Sequence, residues 1–181
     1  MLYIQDQGPY GRRRGRSRGL RAGDVVNFRF PMRAHPSEDA LRPRPCLVLE
    51  IVELAGGAPY AVLAYGAAIQ GRKTAFDVDV SEPLELLIAG CRRPHRFFGG
   101  LPLMISLDSP DLPSRTTKPG WLGALTGTAL RRLGRVNIER SRRAAASEKH
   151  RARRRMKLAS LEASKQPIDP HHLSPTPPHR R

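Results

Sequence analysis

Arginine and histidine are the residue types here whose chemistry could act on a ligand. Arg44 stands at the mouth of an apolar run, Pro45-Cys46-Leu47-Val48-Leu49, and Arg42 lies just before it. His35 falls in the polar loop upstream of both. A second cluster reads Cys91-Arg92-Arg93-Pro94-His95-Arg96-Phe97. A guanidinium is planar, permanently charged and able to grip two phosphate oxygens at once. Imidazole titrates near neutrality, as a proton-transfer group must. These types suit phosphodiester chemistry, which needs a base for the attacking hydroxyl, an acid for the leaving oxygen and positive charge for the transition state. Tyr65 adds a ring able to stack on a nucleobase. A surface ion pair for Arg44 and solvated loop positions for the histidines remain the plainer alternatives. Metal chemistry is not indicated and no cofactor is expected, because His171-His172 lies in a Pro-rich tail without acidic or cysteine ligands at useful spacing.

The charge balance points to a polyanionic partner. The 181 residues carry a formal net charge of +16. Residues 1–22 contribute +5, residues 23–138 contribute +3 and residues 139–181 contribute +8. The excess therefore sits in the tails, where each cation that neutralises a phosphate releases condensed counterions. Two isolated cysteines, Cys46 and Cys91, form neither a disulfide framework nor a zinc spacing. No apolar run approaches the roughly 18–20 residues that span a membrane. The Arg-rich start lacks the apolar stretch of a secretory signal. A cytoplasmic protein without membrane contact is the expectation.

The elements that must position these side chains are mostly short strands. Residues 1–20 read as a disordered basic arm, since Gly11 to Gly19 has no apolar period and strong self-repulsion. Val25 to Phe30 is β-rich and ends at Pro31. Residues 31–43 form a long polar loop. Pro45 to Leu54 is a strand with a continuous apolar run, which implies burial on both faces. Gly56-Gly57 signals a hairpin turn into a third strand, Tyr60 to Tyr65. Thr74 to Val80 alternates as a half-solvated strand. Glu82 to Ala89 fits helix or strand. Phe97-Phe98 and Leu101 to Leu107 are two further strand segments. Trp121 to Leu133 has helical spacing weakened by glycines. Residues 139–163 read as a basic extension, helical if it orders on a polyanion, and residues 164–181 as a disordered Pro/His-rich tail. The fold class expected is mainly β, a small, strongly bent antiparallel sheet or barrel over residues 21–138 with basic tails. Its core is modest, so a homodimer would help to stabilise it.

The stretch from Gly23 to Ala68 also resembles the start of the PemK/MazF-like toxins of type II toxin–antitoxin systems. Gly23-Asp24-Val25-Val26, with Phe28 and Phe30, is similar to the family's opening strand. Arg44-Pro45-Cys46-Leu47-Val48-Leu49 is similar to its Arg-Pro step into an apolar strand, the most specific piece. Cys91 to Phe97 resembles a later segment that places polar residues near the RNA backbone. The likeness covers roughly residues 21–107. It implies an SH3-like barrel that dimerises, binds single-stranded RNA across the dimer and cuts it without a metal by attack of the ribose 2′-hydroxyl. A cognate acidic antitoxin would occlude the site. Arg44 resembles the family's catalytic arginine, and His35 matches a loop histidine of one branch. Arg92, Arg93, His95 and Arg96 of that later segment, together with Arg42 and Tyr65, are the expected nucleic-acid contacts. Where many members carry Thr or Ser, this chain reads Tyr65-Gly66-Ala67-Ala68. The alternative is therefore a barrel that binds RNA or DNA through basic tails without cutting it.

Overall fold

The computed structural model describes residues 3–4, 19–31, 42–54, 57–115 and 120–163. Seven strands and two helices follow one another: β1 (Tyr3–Ile4), β2 (Asp24–Phe28), β3 (Arg44–Glu53), β4 (Pro59–Ala68), β5 (Asp77–Val80), α1 (Pro83–Ala89), β6 (His95–Ser106), β7 (Trp121–Ala124) and α2 (Gly127–Ala163). The sheet order is β1-β6-β4-β3-β2-β7, with β5 pairing the first part of β6. Strands β2 to β7 are antiparallel and curl into a half-barrel, and β1 pairs with β6 in parallel. The expected mainly β class is present. Met1 to Ser141 forms one compact unit and Arg142 to Arg181 a second.

Strands buried on both faces explain the apolar run in β3. Leu47 and Leu49 join Val25, Val62, Ala64, Val78, Val80 and Phe97 in one core, which α2 covers with Ala129, Leu133 and Val136. These three helical residues recur at the spacing of one helix face. Cys46 and Val48 point the other way, into a second core with Val26, Phe28, Ala61, Leu63, Leu103 and Ile105. Leu20, Leu107 and Leu112 close that core from outside the sheet. Period-two alternation thus feeds two apolar layers from one sheet.

The Gly-Asp opening has a structural reason. Gly23 adopts φ 93°, a left-handed conformation open to glycine, and its N–H donates to the Val48 carbonyl at 2.8 Å. Asp24 is buried and accepts the Arg21 backbone N–H at 2.7 Å, which closes the turn into β2.

The start of α2 is fastened by long-range polar contacts. Glu85 of α1 accepts the backbone N–H groups of Thr128 at 2.5 Å and Ala129 at 3.3 Å, so a carboxylate from another element caps the helix. Arg132 donates to the carbonyls of Thr74, Ala75 and Asp77 at 2.9–3.0 Å. Asn137 donates to the Leu49 carbonyl at 2.7 Å, where the β3–β4 register shifts at a bulge. Arg140 pairs with Glu50 at 2.7 Å.

Several expectations are revised. Trp121 to Ala124 is a strand, not the beginning of a helix, because it pairs with the edge of β2 at Asp24, Val25 and Val26. Gly123 permits this, since a side chain there would collide with the Ile88 carbonyl. Glu82 to Ala89 resolves as the helix α1, closed by Gly90 at φ 69°. The two strand segments after Arg96 are one strand, β6, which bends at Gly99-Gly100 and changes register on β4. Tyr3–Ile4 is a strand inside the arm read as disordered. The helix expected over 139–163 begins earlier, at Gly127. His35 and most of its loop lie outside the described residues.

Candidate nucleic-acid interface

Antiparallel pairing gathers the sequence-distant cations at one end of the sheet. Phe28, the last residue of β2, sits opposite Arg44, the first of β3. Ala68, the last residue of β4, sits opposite His95, the first of β6, and Val80 at the end of β5 pairs His95 from the other side. The segments entering or leaving at this end carry Arg29, Arg42, Arg44, Arg72, Arg92 and Arg93. All are exposed except Arg44, which is half-buried. The opposite end carries exposed Glu53, Asp108 and Asp111, together with exposed Arg21 at the entry to β2. The six arginines concentrate positive potential at their end, where the exposed acid is Glu82, leaving β5.

Arg44 shares its face of the sheet with a row of aromatic rings. Side chains two apart on a strand, and those directly opposite across a pair, point the same way. Arg44 and Cys46 are two apart, Cys46 is opposite Tyr65, and Tyr65 is opposite Phe98. The Tyr65 and Phe98 rings stack with centroids 4.8 Å apart and planes at 19°. Phe30 leans on Tyr65 at 5.5 Å. All three rings are half-buried. Burial pushes the Cys46 thiol up to about 12, against the opposing pull of backbone hydrogen bonding and the nearby Arg44 charge. Cys46 is therefore a packed, un-ionised thiol beside the arginine.

The other expected contact residues divide into two groups. Arg42, Arg92 and Arg93 lie exposed around the basic end, and Tyr65 belongs to the aromatic row. Arg96 does not reach the surface. It is 4% exposed, its Nε and Nη2 donate to the two Asp79 carboxylate oxygens at 2.7 and 3.3 Å, and its Nη1 donates to the Gln70 and Gly71 carbonyls. Burial alone would raise the Asp79 carboxyl, but hydrogen bonds from Arg96 and Lys73 outweigh it and hold the pKa below the usual 3.8. Lys73 reaches the same carboxylate at 2.9 Å. Arg96 thus anchors the loop leaving β4, a structural role.

His95 is also drawn inward. It is 8% exposed and its Nδ1 donates to the Arg93 carbonyl at 2.7 Å. It lies two residues before Phe97, on the face opposite Arg44 and Tyr65. Imidazole and guanidinium are therefore separated by the sheet. His35 lies outside the described residues.

The run Tyr65-Gly66-Ala67-Ala68 shows why it is so small. A Cβ at Gly66 would lie 2.7 Å from both the Pro45 carbonyl oxygen and the Phe97 ring. Ala67 sits directly opposite the buried Arg96. The phenol of Tyr65 is the one hydroxyl in this run. Phe30 and Phe98, which complete the aromatic row, were legible only as strand formers, because nothing in a linear sequence pairs them with Tyr65.

The chain matches no protein-family model, and no curated protein matches it. Among the described residues no group of three or more His, Cys, Asp or Glu could hold a metal ion, and no helix is long and apolar enough to cross a membrane.

Proposed function

We propose that the protein is an endoribonuclease of the PemK/MazF-like kind, which binds single-stranded RNA at the basic end of its sheet and cuts it without a metal. The observation that carries this reading is the position of Arg44, half-buried at the mouth of β3 on the same face as the stacked Tyr65 and Phe98. Aromatic rings beside cations are the chemistry that holds unpaired bases and their phosphates together. The Gly-Asp strand β2 and the Arg-Pro strand β3, whose motifs carry the resemblance to that family, pair with one another.

In the proposed reaction the ribose 2′-oxygen forms a bond to the adjacent phosphorus and the bond from phosphorus to the 5′-oxygen breaks. The 2′-hydroxyl proton passes to a base and the 5′-oxygen takes a proton from an acid, leaving a 2′,3′-cyclic phosphate. Arg44 grips the non-bridging oxygens as negative charge builds on them. Arg42, Arg92 and Arg93 hold the flanking phosphates. His35, on the loop before Arg44, serves as the proton-transfer group, since His95 faces the other side of the sheet. The enzyme acts in the cytoplasm as a homodimer and is neutralised by an acidic antitoxin.

The test is incubation of purified protein with a short single-stranded RNA in EDTA. Cleavage with a cyclic phosphate end is expected, and Arg44→Ala should slow it by about 100-fold or more, the size of losing one transition-state charge contact. Intact RNA after prolonged incubation with folded protein overturns the nuclease reading. The absence of a short-chain hydroxyl in Gly66-Ala67-Ala68, and the burial of Arg96, favour one second reading: a barrel that binds RNA without cutting it. Retention of uncut RNA that weakens in Arg44→Ala would select that reading.

A further inference from the structure

The second compact unit carries a charged surface that the sheet-end site does not use. From Arg142 to Ala159 the chain is helical and every side chain is exposed. This stretch holds eight Lys and Arg and one acid, Glu148. At 100° per residue, Arg142, Lys149, Arg153 and Lys157 fall along one line of the helix, with Arg143, His150 and Arg154 beside them. Glu148 falls on the opposite side, with Ala145, Ala152, Ala159 and the remaining two cations, Arg151 and Arg155. Lys149, Arg153 and Lys157 repeat at four-residue steps, a spacing at which like charges repel.

We propose that this basic arc is a second nucleic-acid-binding site, and that its ligand is the phosphate backbone of duplex DNA. Two features select a duplex over a single strand. The stretch contains no Phe, Tyr or Trp, so it has no ring on which to stack an unpaired base. Its recognition chemistry is charge and guanidinium–phosphate hydrogen bonding alone. From Arg142 to Lys157 the arc is about 22 Å long at 1.5 Å per residue, and a helix about 10–12 Å across fits the roughly 12 Å major groove of B-form DNA. The major groove of an RNA duplex is too narrow for it. Its contacts are those of Lys and Arg with phosphate, so binding is steeply dependent on salt.

The experiment uses the full chain and a fluorescent 20-base-pair DNA of arbitrary sequence, with anisotropy read across NaCl concentration. The variant is Lys149→Gln, Arg153→Gln, Arg154→Gln and Lys157→Gln together, since glutamine keeps helix propensity. Circular dichroism establishes that the helix persists. The variant is expected to bind at least tenfold more weakly at 150 mM NaCl, with the salt slope reduced by about 3 to 4, near 0.9 per lost phosphate contact. Glu148→Gln, on the opposite side, is expected to keep full binding. Unchanged affinity in the helical variant overturns the proposal. So does an equal loss on single-stranded DNA, on duplex RNA or on polyglutamate, since each would show a different ligand class. Arg44→Ala is expected to retain duplex binding, so failure here and failure of the ribonuclease reading can be told apart.

Discussion

Arg96 and Arg44 are strand arginines on the same sheet, and their surroundings give them opposite work. Arg96 lies between two strands, opposite Ala67 of β4 and Asp79 of β5. Covered on both sides, it directs its whole fork at the Asp79 carboxylate and two loop carbonyls. Arg132 repeats the pattern, with its donors closed on the carbonyls of Thr74, Ala75 and Asp77 at the entry to β5. Arg44 stands at the first position of its strand, opposite the last residue of β2, where the sheet ends and exposed Arg42, Arg92 and Arg93 gather. Arg96 is closed inside the fold and stabilises a loop, whereas Arg44 stands half-buried at a strand mouth beside half-buried rings. Residue type is the same, and position along the strand decides the outcome.

The largest expected effect separates charge from geometry at Arg44. Arg44→Lys keeps the positive charge and loses the planar fork, so RNA cleavage should fall by about tenfold or more while the melting temperature holds. A variant that cuts at the wild-type rate would show that charge alone suffices. The next effect belongs to the packed side of the same row. Gly66→Ala forces a methyl against the Pro45 carbonyl and the Phe97 ring, and should cost about 1–3 kcal/mol in a denaturant titration.

The comparison of arginines is then made directly. Arg96→Ala should lower the melting temperature, whereas Arg93→Ala, in the exposed turn, should leave it unchanged and weaken RNA binding instead. Equal thermal effects would erase the distinction. The same clamp has a pH signature. Asp79 has a lowered pKa in the folded chain, so it binds fewer protons there than in the unfolded chain. Its contribution is complete above the ordinary value of 3.8 and is lost as pH falls through the lowered one. Asp79→Asn should flatten the acid limb of a stability–pH curve over that range. Glu85→Ala gives the smallest effect, about 1 kcal/mol, through loss of the cap on α2.

Strands whose apolar residues run without interruption were legible from sequence nearly to their ends. The run from Pro45 became β3, which starts one residue earlier and ends one earlier than expected, and the run from Tyr60 became β4, extended by one residue at its start and three at its end. Trp121 to Ala124 was not legible, because its apolar residues fit a helix locally and only pairing with β2 makes them a strand. The bend in β6 hid in the same way, since Gly99-Gly100 reads as a break until β4 and β5 are laid beside it. Of the candidate site, Arg44 and Tyr65 were visible as residue types in context. The burial of Arg96 and the turning of His95 onto the far face were not, because both depend on which residue lies across the strand.

The sequence by itself determined the strand-rich character, the two-faced burial of β3 and the basic excess of the tails, because apolar period and charge are properties of neighbouring residues. Tertiary structure alone decided that cations from four separate segments meet at one sheet end, and that one arginine is a clamp while another stands at the edge. Those outcomes follow from register. Antiparallel pairing brings residues far apart in the chain into direct opposition, and no local pattern encodes which ones.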